Sequence, residues 1–212
     1  PRKTPINVDG DLSDWPLGSA NVMSNFLLIS GAGRGVAPGA SVTPRRSTIG
    51  FVLKDEENLY IALNCECAPQ LIPAASRQNH VFYEDMIPKA GELLEVLIDP
   101  TNGGTRSPAD LYHIALMYSG ADVIEKGMRF DPPCGRSEPW PVDIEVATRT
   151  TQGRWTAELR VPLVAFAPGA TDHAVWGFNI TRFDGLSKEF STWSGALHNA
   201  YDPLSLGNLF LP

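Results

Sequence analysis

Residues 176–203 read WGFNITRFDGLSKEFSTWSGALHNAYDP. Up to Arg182 the side chains of Trp176, Phe178 and Ile180 fall on one face and those of Gly177, Asn179 and Thr181 on the other, the period of two that marks a strand. Arg182 shares the apolar face. A guanidinium there either snorkels at the strand end or meets a carboxylate inside the sheet, because a buried charge has to be paired. The strand then gives way to a polar loop in which Trp193 stands between Thr192 and Ser194, with His198 and Asn199 close behind. An indole in such company suits the apolar face of a sugar ring, and it is equally how a core tryptophan enters a sheet.

The same alternation recurs on either side of this strand. Leu59, Ile61, Leu63 and Cys65 oppose Tyr60, Ala62 and Asn64, and Asp55-Glu56-Glu57-Asn58 joins that run to Ile49–Lys54 as a hairpin connection. Leu94, Val96 and Ile98 oppose Leu93, Glu95, Leu97 and Asp99, so one face of this strand is partly acidic. His113 falls with Leu111, Ala115 and Met117. Trp155, Ala157, Leu159 and Val161 form an apolar face from which Thr156, Glu158 and Arg160 point away, and Gln152-Gly153 turns this run back against Val142–Thr148. Leu206–Leu211 closes the chain as a last strand. Residues 19–48 and 68–91 read as long connections, the second carrying His80, Tyr83, Glu84 and Asp85. About nine short strands with no long helical period predict an all-β fold, an antiparallel β-sandwich occupying residues 1–212 as a single domain.

Totals narrow the function classes. The 212 residues are 43% hydrophobic, enough for a sizeable core, and carry a net charge of -7 with no basic run longer than Arg45-Arg46. Nucleic acid and acidic polymers are poor partners for such a surface. No stretch approaches the roughly 18–20 apolar residues of a membrane span, so membrane insertion is not expected. Of three cysteines, Cys65 and Cys67 lie two apart on one strand face, a poor geometry for a mutual disulfide, and free buried thiols are expected, with a bond from Cys134 to either left open. The chain opens at Pro1 without an apolar leader, as a mature or excised fragment would.

Candidate chemistry is sparse. Asp9, Asp11 and Asp14 surround an Asp-Gly turn signal. They serve either that turn, by bonding their own backbone, or a calcium ion, which takes oxygen ligands from alternate positions. Glu158 is the carboxylate expected to hold Arg182 as a structural ion pair. Glu95 and Asp99 have the residue types of a glycosidase pair, but four residues of strand separate their backbones by about 13 Å, too far for the task. Nucleophile elbow, zinc spacing and phosphate-cradling loop are all missing from the sequence.

In order, the segments VDGDLSDW (8–15), DEENLYIAL (55–63), ELLEVLIDP (92–100), RWTAELRVPL (154–163), WGFNITRF (176–183), STW (191–193) and DPLSLGNLFL (202–211) resemble carbohydrate-binding module family 9 and its wider DOMON-like superfamily. The resemblance implies a jelly-roll β-sandwich in a secreted bacterial protein, extracellular or periplasmic, often with bound calcium. It also implies a non-catalytic role in which an aromatic pair sandwiches a terminal sugar of a glycan, in a module tethered to or associated with a larger polysaccharide-processing protein. Carried over by motif, Trp193 is one wall of that sandwich and Tyr83 the other, with Glu95, His113 and Asn199 as polar contacts. A second branch of the superfamily resembles haem-binding electron-transfer domains. Met86, Met117, Met128, His80 and His113 supply the ligand types for haem, but there is no CxxCH attachment motif. A structural or protein-interaction sandwich without sugar affinity is the further alternative.

Overall fold

The computed structural model describes residues 6–16, 18, 21–29, 42–68, 92–104, 111–118, 122–126, 138–195, 200 and 202–211. The alternating runs become strands, and several shorter strands join them. In chain order they are β1 (Val22–Met23), β2 (Leu27–Leu28), β3 (Thr48–Lys54), β4 (Asn58–Glu66), β5 (Glu92–Asp99), β6 (Tyr112–Met117), β7 (Asp122–Lys126), β8 (Glu138–Pro139), β9 (Glu145–Thr151), β10 (Arg154–Pro162), β11 (Val175–Asp184), β12 (Glu189–Thr192) and β13 (Gly207–Phe210). Only short 3-10 turns interrupt them among the described residues, and no helix there is long and apolar enough to cross a membrane.

Two antiparallel sheets result. The smaller runs β1-β3-β4-β10-β9; the larger runs β2-β12-β11-β5-β6-β7-β8, with β13 also beside β11. Their facing sides share one core, in which Leu59, Ile61, Leu63, Trp155, Ala157 and Leu159 of the small sheet meet Leu94, Val96, Ile98, Trp176, Phe178 and Ile180 of the large one. Each fully buried Leu, Ile, Val or Phe among them contributes about 1.5–3 kcal/mol. At one end Tyr112, Trp140, Phe166 and Trp176 stack in sequence, with successive centroids 4.4, 5.2 and 5.0 Å apart. The expected antiparallel β-sandwich is the observed architecture.

Both outer faces are covered in part. On the small sheet, Tyr60, Ala62 and Phe51 pack with Ile6 and Trp15 from the N-terminal segment. On the large sheet Leu93, Glu95, Leu97, His113, Ala115 and Thr181 are as buried as the core, although they alternate with it. Cys65 and Cys67 are free and buried, as their spacing predicts, while Cys134 lies outside the described residues. Burial pushes the Cys65 thiol up to about 12 and raises that of Cys67, so neither is a thiolate at neutral pH.

Candidate functional site

One edge of β11 is shared by two short strands. Val175–Phe178 pairs with β13 and Thr181–Asp184 pairs with β12, so Asn179 and Ile180 face a break between them. Trp193 enters at this break. Thr192 is paired with Thr181 on the outer face, so the next residue turns to the inner side, and the Trp193 N–H continues the ladder to the Ile180 carbonyl at 2.9 Å. Its ring meets Phe178 edge-on, with centroids 6.1 Å apart and planes at 71°. Beneath the indole lies Gly207. A Cβ there would come within 2.6 Å of Trp193 Cζ3, so a residue without a side chain is what lets the ring settle against β13. Trp15, Trp140, Trp155 and Trp176 are buried, whereas Trp193 packs against the core and is only partly buried.

On the outer face of β11 Asn179 is fully buried, and both its amide oxygen and its amide nitrogen are hydrogen-bonded. Its Oδ1 accepts from Thr192 Oγ1 and from the Ser194 N–H, each at 2.9 Å, and its Nδ2 donates to the Ala200 carbonyl at 3.0 Å. Farther across the same face, Thr181 Oγ1 donates to Glu95 Oε2 at 2.7 Å, while Glu95 Oε1 lies 3.2 Å from His113 Nε2. The register explains this, since Glu95 is opposite both Thr181 and Ala115, and His113 is the next residue on that face of β6.

Of the residues expected to form the site, the structure therefore brings Glu95 and His113 together but puts Trp193 on the other face of the large sheet. Glu95 and His113 have no exposed surface. Tyr83 and Asn199 lie outside the described residues, as do His80, Met86 and Met128; Met117 is buried on the outer face of β6 with His113. Asn179, Thr181 and Gly207 were not among the expected site residues. Alternation alone places the first two on the outer face beside Glu95, but the role of Gly207 depends on a contact between distant segments that carries no local signal.

The expected pair of Glu158 and Arg182 does not form. Glu158 lies between Ala62 and Ala147 on the outer face of the small sheet, whereas Arg182 points inward from the large one, so a layer of the sandwich separates them. Arg182 is held by Glu92 instead. Its Nε and Nη2 donate to Glu92 Oε2 at 3.1 and 3.0 Å, Nη1 donates to the Ser47 carbonyl and to Thr48 Oγ1 at 3.0 Å each, and Nη2 also reaches the Glu66 carbonyl. Burial, partly offset by Arg182, pushes the Glu92 carboxyl up to about 6. Next to them Arg46 pairs with Asp184.

Glu158 serves the N-terminal turn. Trp15 Nε1 donates to its Oε1 at 2.6 Å, and the N–H groups of Asp9 and Gly10 donate to its Oε2. Gly10 sits at φ 84°, where a side chain would also strike Arg149. The three aspartates are committed locally. Asp9 Oδ1 accepts from the Asp11 N–H at 2.8 Å, Asp11 accepts from the Ser13 N–H and from Arg149 Nη1, and Asp14 Oδ2 accepts from the Asn7 N–H. The Ser13 bonds and Arg149 hold the Asp11 carboxyl below its ordinary value. As placed, the three aspartates serve the turn, with a guanidinium on Asp11. No group of three or more metal-ligating side chains converges among the described residues.

This fold is shared with known carbohydrate-binding modules. The chain is similar to a family 9 module from Caldicellulosiruptor kristjanssonii in complex with cellotriose, with a TM-score of 0.62 and 18% identity over 98% of this chain and 89% of that one. A family 9 module from the same organism in complex with glucose gives a TM-score of 0.63 and 18% identity over 99% and 92%. The chain thus has the family 9 module fold. No protein-family model and no curated protein sequence matches it.

Proposed function

We propose that this protein is a non-catalytic carbohydrate-binding module that holds a glycan, or its terminal sugar, against Trp193. The observation that carries this reading is the partial exposure of Trp193, an indole fixed edge-on by Phe178 and seated over Gly207 while the other tryptophans are buried. A rigid, partly exposed aromatic ring is what the C–H side of a pyranose packs on, and little entropy is lost in ordering it. The sugar complexes of the similar modules favour glucose and β-linked glucose units as the ligand class. In this reading Tyr83 supplies the opposing wall and Asn199 a polar contact. Glu95 and His113, buried under the outer face, stiffen the sheet behind the site without touching the sugar. The same reading puts the protein outside the cytoplasm, attached to or working beside a polysaccharide-processing partner.

Retention on immobilised cellulose, with elution by free cellotriose or glucose, tests it. Specific retention reversed by either sugar is the expected result. A protein that passes through cellulose and a broad glycan array without retention would leave only a structural or protein-binding sandwich.

A further inference from the structure

We infer that Asn179 is the positioning residue of the Trp193 platform. The proposal rests on the reading of Trp193 as a sugar-binding face and names the device that holds it.

The geometry is specific. Asn179 stands where β11 has no strand partner on that edge, between the segment paired with β13 and the segment paired with β12. At the break the Trp193 N–H takes the Ile180 carbonyl, and the Asn179 side chain satisfies backbone groups of the chain that runs past it. The amide oxygen takes the Ser194 N–H, one residue after Trp193, and the amide nitrogen takes the Ala200 carbonyl. One side chain therefore fastens both ends of the segment that leaves β12 behind Trp193. Thr192 Oγ1 binds the same oxygen from the residue before Trp193, and it also meets Ser194 Oγ at 3.3 Å. Trp193 is thus held between two residues that share one anchor, while its own N–H is bound to Ile180.

The chemistry requires an amide. An oxygen accepting twice and a nitrogen donating once, from one short side chain, is within reach of Asn and of no carboxylate or hydroxyl of that length. Such a buried, satisfied polar group costs little while complete and much when one partner is lost. Its loss would be felt first by the segment it fastens and not by the apolar core on the opposite face.

The test compares the parent with Asn179→Leu, which removes all three bonds, and with Asn179→Asp, which keeps the acceptor and replaces the donor facing Ala200 with a second oxygen. Cellotriose affinity is read by calorimetry, and amide hydrogen exchange is read at Ser194 and at Val96 in β5 as a sheet control. In Asn179→Leu we expect Ser194 to exchange at least tenfold faster with Val96 unchanged, and the cellotriose dissociation constant to rise about tenfold or more. If that variant does not fold, Asn179→Asp carries the test, with the same rise in dissociation constant and faster cleavage by a nonspecific protease after Trp193. Unchanged exchange and proteolysis in a folded variant would overturn the inference, as would exchange accelerated equally at Val96. A loosened segment with unchanged cellotriose affinity would overturn it too. Should the parent itself bind no cellotriose, the sugar reading fails, and the fastening role stands or falls on exchange and proteolysis alone.

Discussion

Arg182 and Glu92 lie on neighbouring strands of one sheet, yet the arginine that Glu92 holds fastens both sheets. The guanidinium gives two N–H groups to Glu92 Oε2, and the remaining three go to Ser47, Thr48 and Glu66 at the margin of the small sheet. All five donors are used, which a lysine could not reproduce. Glu92→Ala would strand this buried charge and is expected to lower unfolding stability by about 3–5 kcal/mol. Urea denaturation decides it; a loss below about 1 kcal/mol would mean that the backbone acceptors suffice.

The same carboxyl sets a pH dependence. Its folded value of about 6 lies above the ordinary 4.5, so the folded chain binds that proton more tightly than the unfolded chain does. The resulting stabilisation is fully present below about pH 4.5 and is lost as pH rises through about 6, amounting to at most about 2 kcal/mol. Unfolding midpoints of the parent relative to Glu92→Gln should therefore fall from pH 4.5 to 6.5 and level off above 7. A relative stability that climbs below about pH 4.5 and is flat from about 4.5 to 6.5 would show the carboxyl to be held low by Arg182.

Glu158 is expected to matter for the N-terminal segment and not for Arg182. It accepts from Trp15 and from the backbone of Asp9 and Gly10, and losing a charged acceptor of this kind costs about 1.5–3 kcal/mol. Glu158→Ala should shift Trp15 emission to the red and open residues 6–16 to protease. Additivity with Glu92→Ala in the double variant would confirm that the two carboxylates act separately; coupling above about 1 kcal/mol would contradict it.

Cys65 and Cys67 should resist alkylation in the native protein, because both are buried and their thiols are pushed up by burial. Iodoacetamide is expected to label them only after denaturation. Rapid native labelling of either at pH 7.5 would show that this end of the sandwich opens.

The long strands were legible because alternation survives in every run whose inner face is apolar, as at Leu59–Cys65, Trp155–Val161 and Trp176–Ile180. Strands β1, β2, β8 and β12 have two to four residues, too few for a period to register. The partner of Arg182 was legible in type but misassigned in identity. Glu158 alternates away from its apolar neighbours, while Glu92 keeps the parity of Leu94, Val96 and Ile98, and that parity is the signal that selects it. Alternation also puts Glu95 and His113 each on a definite face. It could not show that Trp193 ends on the opposite face, because that depends on where β12 stops and on Gly207 arriving from a segment more than ten residues later.

Calorimetry with cellotriose on the parent and on Trp193→Ala, each paired with a thermal melt, tests the central claim most directly. Losing the apolar contact of an indole with a sugar is worth on the order of 1–3 kcal/mol. Trp193→Ala is therefore expected to bind about ten- to a hundredfold more weakly, with a smaller loss of melting temperature than in a Trp155→Ala control. Cellotriose binding that is unchanged in Trp193→Ala, alongside a melting temperature lowered as far as in the control, would contradict it and return Trp193 to the core.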